Sequence, residues 1–215
     1  DVYFAKGLEI DLARAIGSEL GRPVRLYQES SFTRLLAAGP KPWHVALASV
    51  TISARRDSRV DFSTPYLRAD QGVLRRKGLG AGTSSLAALR SLRICALRGT
   101  TAVRVIASKI RPRTEPVLSK SYALMLERLR IGACDVAIDD LPTLAMLRAE
   151  WPNRFGAIAG RIVTNERYGV VLPEGATRLR LRVDAALGRL AANGRLARIT
   201  RRWLELDPAA VPRLR

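Results

Sequence analysis

Apolar residues recur along this chain in two alternating rhythms. Leu8, Leu12, Ile16 and Leu20 lie four residues apart, which predicts an amphipathic helix that Gly21 ends. The same period, or a capping residue before an apolar run, predicts further helices at residues 31–36, 101–109, 121–131, from 142 onward, 179–190 and 194–204.

Short apolar or alternating runs between these helices predict strands. They fall at residues 24–27, 45–49, 72–76, 92–97, 114–118, 135–138 and 168–172. Strands that alternate with helices are typical of an α/β fold with a largely parallel sheet. The chain has no run of eighteen apolar residues, which a membrane-spanning helix would need. The last residues, 207–215, contain two prolines, and we expect them to be loosely held.

The chain is strongly basic, with 37 Lys and Arg against 19 Asp and Glu and a formal net charge of +18. A net charge of this size is typical of proteins that bind nucleic acid, so that function has to be considered. The basic residues are spread over almost every predicted helix, and no base-reading motif accompanies them. We therefore predict a solvated basic surface and no specific nucleic-acid partner, with attraction to an acidic membrane surface or cell wall as an alternative.

Two cysteines and one histidine limit the metal and disulfide chemistry. Cys95 and Cys134 lie near predicted strands of the same half of the chain, and we interpret them as buried thiols, although a single bridge is compatible with an exported protein. His44 lacks Cys or carboxylate partners at ligand spacing, so no metal site is predicted. No motif calls for a cofactor.

The segment that carries candidate chemistry directly follows the apolar run at residues 45–48. It contains Ser49, Thr51 and Arg56, and it leads into the sequence Val-Asp-Phe-Ser-Thr-Pro-Tyr at residues 60–66. Ligands of open α/β sheets bind at the carboxyl ends of strands. An arginine at that position offers a rigid fork of donors that matches a carboxylate.

These two segments resemble the T-[IV]-[TS]-x-x-R and [VI]-x-F-S-x-P-Y patterns of the periplasmic solute-binding proteins for polar amino acids, which serve ABC importers. Further motifs follow in the family's order over about nine tenths of the chain, at residues 7–13, 97–101, 132–140, 168–170 and 194–203. One departure is that the chain begins at Asp1, too close to Gly7 for the family's first strand and loop; Tyr3 or Phe4 are the candidates to replace its aromatic contact.

The resemblance implies a two-lobed, type II periplasmic-binding-protein-like fold with mixed, mainly parallel sheets and a hinge between the lobes. Residues 1–73 and 170–215 would form the first lobe, and residues 74–169 the second.

The resemblance also implies the ligand site. Arg56 would clamp an α-carboxylate, with backbone N–H groups of Thr51 and Thr101 as further donors. Asp140 would meet the α-ammonium, helped by Ser49 and Thr51, while Phe32 would pack on the ligand side chain and Leu97 would influence specificity. Read singly, Arg56 is one of many surface arginines and Asp140 a cap for the helix at Pro142. The role of Asp139 stays open.

The function implied is extracytoplasmic capture of an amino acid by a monomer, in the periplasm or at the cell surface, with a lipid anchor on the precursor as one option. Lobe closure would precede delivery to the permease of an ABC importer. One alternative is a sensing domain of a receptor or cell-wall enzyme. Another is a dehydratase-type enzyme, whose acid or base would have to be Asp139, Asp140 or Glu166; no motif in the sequence marks any of them for this role, and we expect no enzyme. The amino acid itself is left open.

Overall fold

The computed structural model describes residues 6–29, 31–80, 83–204, 207 and 210–215. The helices are α1 (Leu8–Leu20), α2 (Phe32–Leu35), α3 (Ala54–Asp57), α4 (Leu86–Leu89), α5 (Thr101–Val105), α6 (Tyr122–Arg130), α7 (Leu141–Glu150), α8 (Thr177–Ala192) and α9 (Arg195–Trp203). A π-helical segment, Ile106–Ile110, continues α5. The strands are β1 (Asp61–Arg76), β2 (Ile94–Leu97), β3 (Val117–Ser119), β4 (Val136–Asp140) and β5 (Phe155–Leu172). No helix among the described residues is long and apolar enough to span a membrane.

The five strands form one mixed sheet in the order β3-β2-β4-β1-β5. β2 is parallel to both β3 and β4, whereas β4 is antiparallel to β1. The parallel strands are joined by helices, as parallel connections require. The prediction of an α/β chain with a mixed sheet is confirmed.

The chain divides into two compact units, and two strands pass from one to the other. The first unit consists of Asp1–Arg68 and Glu166–Trp203, and the second of Ala69–Asn165 and Leu204–Arg215. β1 changes unit after Arg68, and β5 changes unit after Asn165.

The core of the second unit follows the two-residue period of its strands. Val73 packs in one apolar cluster with Ile94, and the next residue, Leu74, packs in another with Cys95. Successive side chains of a strand point to opposite faces, so the two clusters lie on opposite faces of the sheet. α4 and α5 contribute to the first cluster, and α6 and α7 to the second.

The first unit has an apolar cluster of its own beneath the candidate binding segment. It comprises Leu35, Trp43, Val50, Val60, Phe62 and Val171. α1 presents Leu12 and Ile16 as buried residues, as its four-residue period predicts, so the expectation for this helix is confirmed.

Several local predictions were wrong. Residues 24–27 form no strand, and Val24 and Tyr27 are exposed, because no neighbouring strand pairs with this segment. Residues 45–49 contribute one isolated antiparallel bridge, Ala46 to Val171, in place of a continuous strand. The helix expected at 101–109 is α-helical only to Val105 and then widens into the π-helical segment.

Two further expectations are corrected in the second unit. Cys95 and Cys134 form a disulfide inside the apolar cluster rather than a pair of thiols. Their Cα atoms are 5.7 Å apart, because β2 and the turn before β4 lie side by side. The described residues near the end of the chain are also not loosely held, because Val211 and Leu214 are buried, and residues 210–215 fall within the second unit.

Candidate functional site

Arg56 lies in the first unit with three other residues of the candidate site, Phe32, Ser49 and Thr51; we call this group the Arg56 cluster. The Nη1 atom of Arg56 donates a hydrogen bond of 2.7 Å to the carbonyl oxygen of Thr51. The guanidinium carbon lies 5.3 Å from the centroid of the Phe32 ring, within the range of a cation–π contact. These contacts fix the plane of the guanidinium, which is what bidentate recognition of a carboxylate requires.

The segment before Arg56 is anchored to β5. Thr51 is buried and forms an antiparallel bridge with Tyr168, and the N–H of Gly169 donates to the carbonyl of Val50 at 3.1 Å. A Cβ atom on Gly169 would lie 2.9 Å from the Ile52 side chain, so glycine permits this close approach. The backbone that carries Thr51 is therefore held to the part of β5 that belongs to the first unit.

Ser49 adopts a left-handed conformation, with φ of 49°, which is uncommon for a residue other than glycine. Its N–H donates to Oε1 of Glu9 at 2.5 Å, its hydroxyl donates to the same oxygen at 3.2 Å, and the Tyr66 hydroxyl donates there at 2.5 Å. Glu9 thus holds the turn in its strained conformation. The resemblance implies that Ser49 contacts the ammonium of the ligand. The hydrogen bonds to Glu9 add a structural role for Ser49 that the sequence analysis missed.

Burial governs the electrostatics of this contact. Desolvation raises the pKa of Glu9, although the hydrogen bonds from Tyr66 and Ser49 act in the opposite direction. The pKa of Tyr66 is raised as well, by burial and then by the neighbouring charge of Glu9. The Tyr66 hydroxyl therefore stays protonated and remains a donor.

The second unit holds a separate group, Gln71, Thr101, Asp139 and Asp140, which we call the Asp140 cluster. All four side chains are buried. Gln71 of β1 lies opposite Asp140 of β4 in the antiparallel register, and its Nε2 donates both to Asp140 Oδ1 and, at 3.3 Å, to the Thr101 hydroxyl. Asp139 Oδ1 accepts a hydrogen bond of 2.8 Å from the N–H of Asp140.

Asp140 occupies the position before α7, yet its side chain makes no capping hydrogen bond to that helix. Pro142 lies in the first turn, as predicted. The interpretation of Asp140 as a helix cap is therefore wrong, and its carboxylate faces Gln71 instead.

Tyr122, at the start of α6, adds a hydroxyl to this region. Burial raises its pKa, followed by the charges of Asp139 and Asp140 and a hydrogen bond with Asp139. The residue as a whole is partly exposed, with 37% of its surface accessible. The second unit thus places two carboxylates, an amide and two hydroxyls together, a set suited to a cationic or polar partner.

Leu97 ends β2, where the chain turns into α5. It is half-buried, and its carbonyl accepts a hydrogen bond of 2.8 Å from the Thr100 hydroxyl. This contact closes the turn that leads to Thr101, the first residue of α5. Leu97 and Thr101 therefore flank one turn at the carboxyl end of a parallel strand.

Sequence reasoning missed the roles of Glu9 and Gln71. A signal for Glu9 was present, because it lies three and seven residues before Leu12 and Ile16 and so on the apolar face of α1. A carboxylate at such a position needs buried donors. For Gln71 the only signal was weaker, namely a polar residue next to a predicted apolar strand.

Tyr3 and Phe4, the candidates for the aromatic contact, lie outside the described residues. The described residues contain no cluster of three or more metal-ligating side chains.

Comparison with known proteins identifies relatives of this chain in sequence and in structure. The glutamine-binding protein GlnH of the ABC transporter of Bacillus subtilis is 26% identical over 211 residues, which cover 95% of this chain and 74% of that protein. The membrane-bound lytic murein transglycosylase F of Ectopseudomonas mendocina is 28% identical over 209 residues, covering 93% of this chain but only 42% of that protein. Among solved structures, an ancestral arginine-binding protein bound to glutamine matches with a TM-score of 0.82 and 25% identity, over 93% of this chain and 88% of that one.

The structural matches confirm the two-lobed, type II periplasmic-binding-protein fold. The sequence model of the bacterial extracellular solute-binding proteins, family 3, matches residues 4–206. Proteins of this family are extracytoplasmic, and most of them bind solutes without transforming them. The chain belongs to the bacterial extracellular solute-binding proteins of family 3.

Proposed function

We propose that this protein binds an α-amino acid outside the cytoplasm and delivers it to an ABC importer. The observation that carries the proposal is the fixed guanidinium of Arg56, which Thr51 and Phe32 orient in the first unit. A planar fork held in this way matches the two oxygens of a carboxylate. GlnH, the relative described above, supports the same class of ligand.

The α-ammonium of the ligand would meet Asp140 of the second unit. The hydrogen bond from Gln71 orients that carboxylate, and Asp139, which is hydrogen-bonded to the Tyr122 hydroxyl, adds a second carboxylate nearby. Asp140 is only 8% exposed, and a cationic partner would stabilise its carboxylate because a buried charge needs compensation. Asp140 is therefore the acceptor that we propose for the ammonium, with Ser49 and Thr51 as additional ones.

The remaining site residues would contact the α-carboxylate and the side chain of the ligand. The N–H groups of Thr51 and Thr101 would donate to the α-carboxylate, while Phe32 and Leu97 would contact the side chain. A ligand held by Arg56 in one unit and Asp140 in the other favours the closed arrangement of the two units, because it contributes contacts only there. Closure would then be the signal read by the permease.

A sensing or substrate-positioning domain of a cell-wall enzyme is the second candidate function. The match to the murein transglycosylase favours it, because this chain corresponds to less than half of that protein. In that case the amino-acid site would be retained and the output would differ. Hydrolysis of purified murein by the whole protein that contains this chain would favour this candidate over transport.

Titration calorimetry with the twenty amino acids tests the proposed function. The best ligand is then compared with its deaminated analogue, on the wild type and on Asp140→Asn. We expect Asp140→Asn to lower the affinity for the amino acid by roughly tenfold or more. The affinity for the deaminated analogue should fall much less, because only the amino acid carries the ammonium. Glu127→Gln, at an exposed position of the same unit, is the matched control and should leave both affinities unchanged. Absence of binding for all twenty amino acids would refute the proposal.

A further inference from the structure

A concave site lies in the second unit, and its lining contains no residue of the Arg56 cluster or of the Asp140 cluster. It is a cavity of about 440 Å³ between α4, the π-helical segment and the C-terminal residue. Its lining includes four cationic side chains, Arg90, Lys109, Arg111 and Arg215. None of the described residues that line it is acidic. We call it the basic pocket.

Three separate stretches of chain build the basic pocket. Arg90 follows α4, while Lys109 and Arg111 lie at the end of the π-helical segment. The main-chain oxygen of Arg215 accepts a hydrogen bond of 3.0 Å from the N–H of Leu86, which attaches Arg215 to α4. The cations are therefore brought together by tertiary structure and not by their order along the chain.

The backbone at this place is unusual. The N–H of Arg111 donates to the carbonyl of Ile106 at 2.8 Å, a hydrogen bond across five residues, and Arg111 has a φ of 55°. π-helical turns and left-handed non-glycine residues both cost free energy, and both are found at functional sites more often than elsewhere. Lys109 and Arg111, which lie at this turn, both line the cavity.

Among the residues that the structure describes, no Asp or Glu side chain forms an ion pair with a cation that lines the basic pocket. Lys109 Nζ donates to the carbonyl of Val163 at 2.6 Å, and Arg111 Nε donates to the carbonyl of Ser108 at 3.3 Å. Carbonyl oxygens orient these side chains without cancelling their charge. By contrast, other arginines of this unit, such as Arg93 and Arg161, pair with aspartates.

The chemistry points to an anion with several oxygen atoms. Guanidinium groups bind phosphate oxygens in pairs, and ammonium groups add a point charge. The lining also contains apolar residues, with Ile110 buried and Leu86 half-buried, and the cavity volume lies in the range of small-ligand sites. We propose that the basic pocket binds a phosphate group, either free in solution or carried by a lipid headgroup.

Titration calorimetry with pyrophosphate at low ionic strength tests this proposal on the full chain. We expect the double variant Arg90→Gln/Arg111→Gln to bind about tenfold more weakly or worse, because it loses two charge-assisted contacts. The matched control, Arg182→Gln/Arg198→Gln, removes the same charge from exposed positions of α8 and α9 in the first unit. It should stay within about twofold of the wild type.

Vesicles distinguish the two sources of phosphate. Sedimentation with phosphatidylglycerol vesicles that depends on Arg90 and Arg111 more than on the control pair would assign the pocket to lipid headgroups, even without pyrophosphate binding. Equal losses in both double variants would show a nonspecific effect of net charge and overturn the proposal, as would absence of binding to both probes. Amino-acid affinity should be the same in the pocket variant and the wild type, so this test is independent of the proposed function.

Discussion

The backbone N–H of Ser49 donates a hydrogen bond of 2.5 Å to Oε1 of Glu9, which lies forty residues earlier in the chain. The same oxygen accepts from the Ser49 and Tyr66 hydroxyls. Ser49 is two residues before Thr51, whose carbonyl orients Arg56. A helix side chain that need not touch the ligand therefore supports the backbone on which the proposed carboxylate clamp is built.

Replacement of Glu9 by leucine should weaken amino-acid binding by roughly tenfold, because three donors lose their acceptor and the left-handed turn at Ser49 can relax. Glu9→Gln keeps an acceptor oxygen and should bind within a few-fold of the wild type. Calorimetry on the two variants measures the difference. If both variants bind as the wild type does, Glu9 has no part in positioning the clamp.

Glu9 should also make stability depend on pH. Its folded-state pKa is raised, so the charged form is disfavoured in the folded protein, and the wild type loses stability as pH rises through that pKa. The Glu9→Gln variant has no charge to bury at this position and does not lose stability in this way. The free energy of unfolding of Glu9→Gln minus that of the wild type, measured by chemical denaturation, should therefore be larger at about pH 8 than at about pH 4. A constant difference would show that the carboxyl titrates as it does in the unfolded chain.

Gln71 links Asp140 to Thr101 and should be coupled to Asp140 in binding. Gln71→Leu removes the donor at similar volume, so Asp140 loses the contact that orients it. We expect affinity to fall by roughly tenfold, and the effects of Gln71→Leu and Asp140→Asn to be non-additive by about 1 kcal/mol. A double-mutant cycle measured by calorimetry gives this coupling. Strict additivity would mean that Gln71 supports only the fold.

Asp135 should contribute stability that is lost in acid. It forms ion pairs with Arg93 at 2.8 Å and Arg76 at 3.3 Å, and the hydrogen bond from Arg93 lowers its pKa to about 2. Because the folded-state pKa is depressed, the stabilisation is complete above the unfolded value of 3.8 and disappears as pH falls toward 2.

The variant Asp135→Asn should lower the free energy of unfolding by about 1–2 kcal/mol at neutral pH, a modest value since half-exposed Arg93 is screened by solvent. Near pH 2 the variant and the wild type should have similar stability. Urea denaturation at both pH values provides the measurement, with Asp57→Asn at an exposed position as the control. A difference that persists near pH 2 would assign the effect to packing and not to charge.

The sequence predicted the elements that local patterns determine. α1 follows from its four-residue apolar period, and Ser31 and Ser121 cap helices as expected because their hydroxyls accept from N–H groups three residues later. Residues 45–49 were misjudged, because a short apolar run does not reveal whether a partner strand pairs along its whole length.

The candidate site was predictable only in part, for the same reason. Arg56 and Asp140 were singled out from motifs, but the support of Asp140 by Gln71 depends on a strand register between residues 69 positions apart. The Cys95–Cys134 disulfide likewise depends on two segments meeting in the fold. Local sequence carries no record of such pairings.

The amino-acid affinity of Arg56→Ala, measured by calorimetry beside Arg55→Ala, tests the central claim most directly. Arg55 is the neighbouring residue in α3 and is exposed, so its variant removes the same charge without touching the clamp. We predict that Arg56→Ala loses about 2–4 kcal/mol of binding free energy with the fold intact by circular dichroism, while Arg55→Ala binds as the wild type does. Unchanged affinity in a folded Arg56→Ala protein would contradict the account.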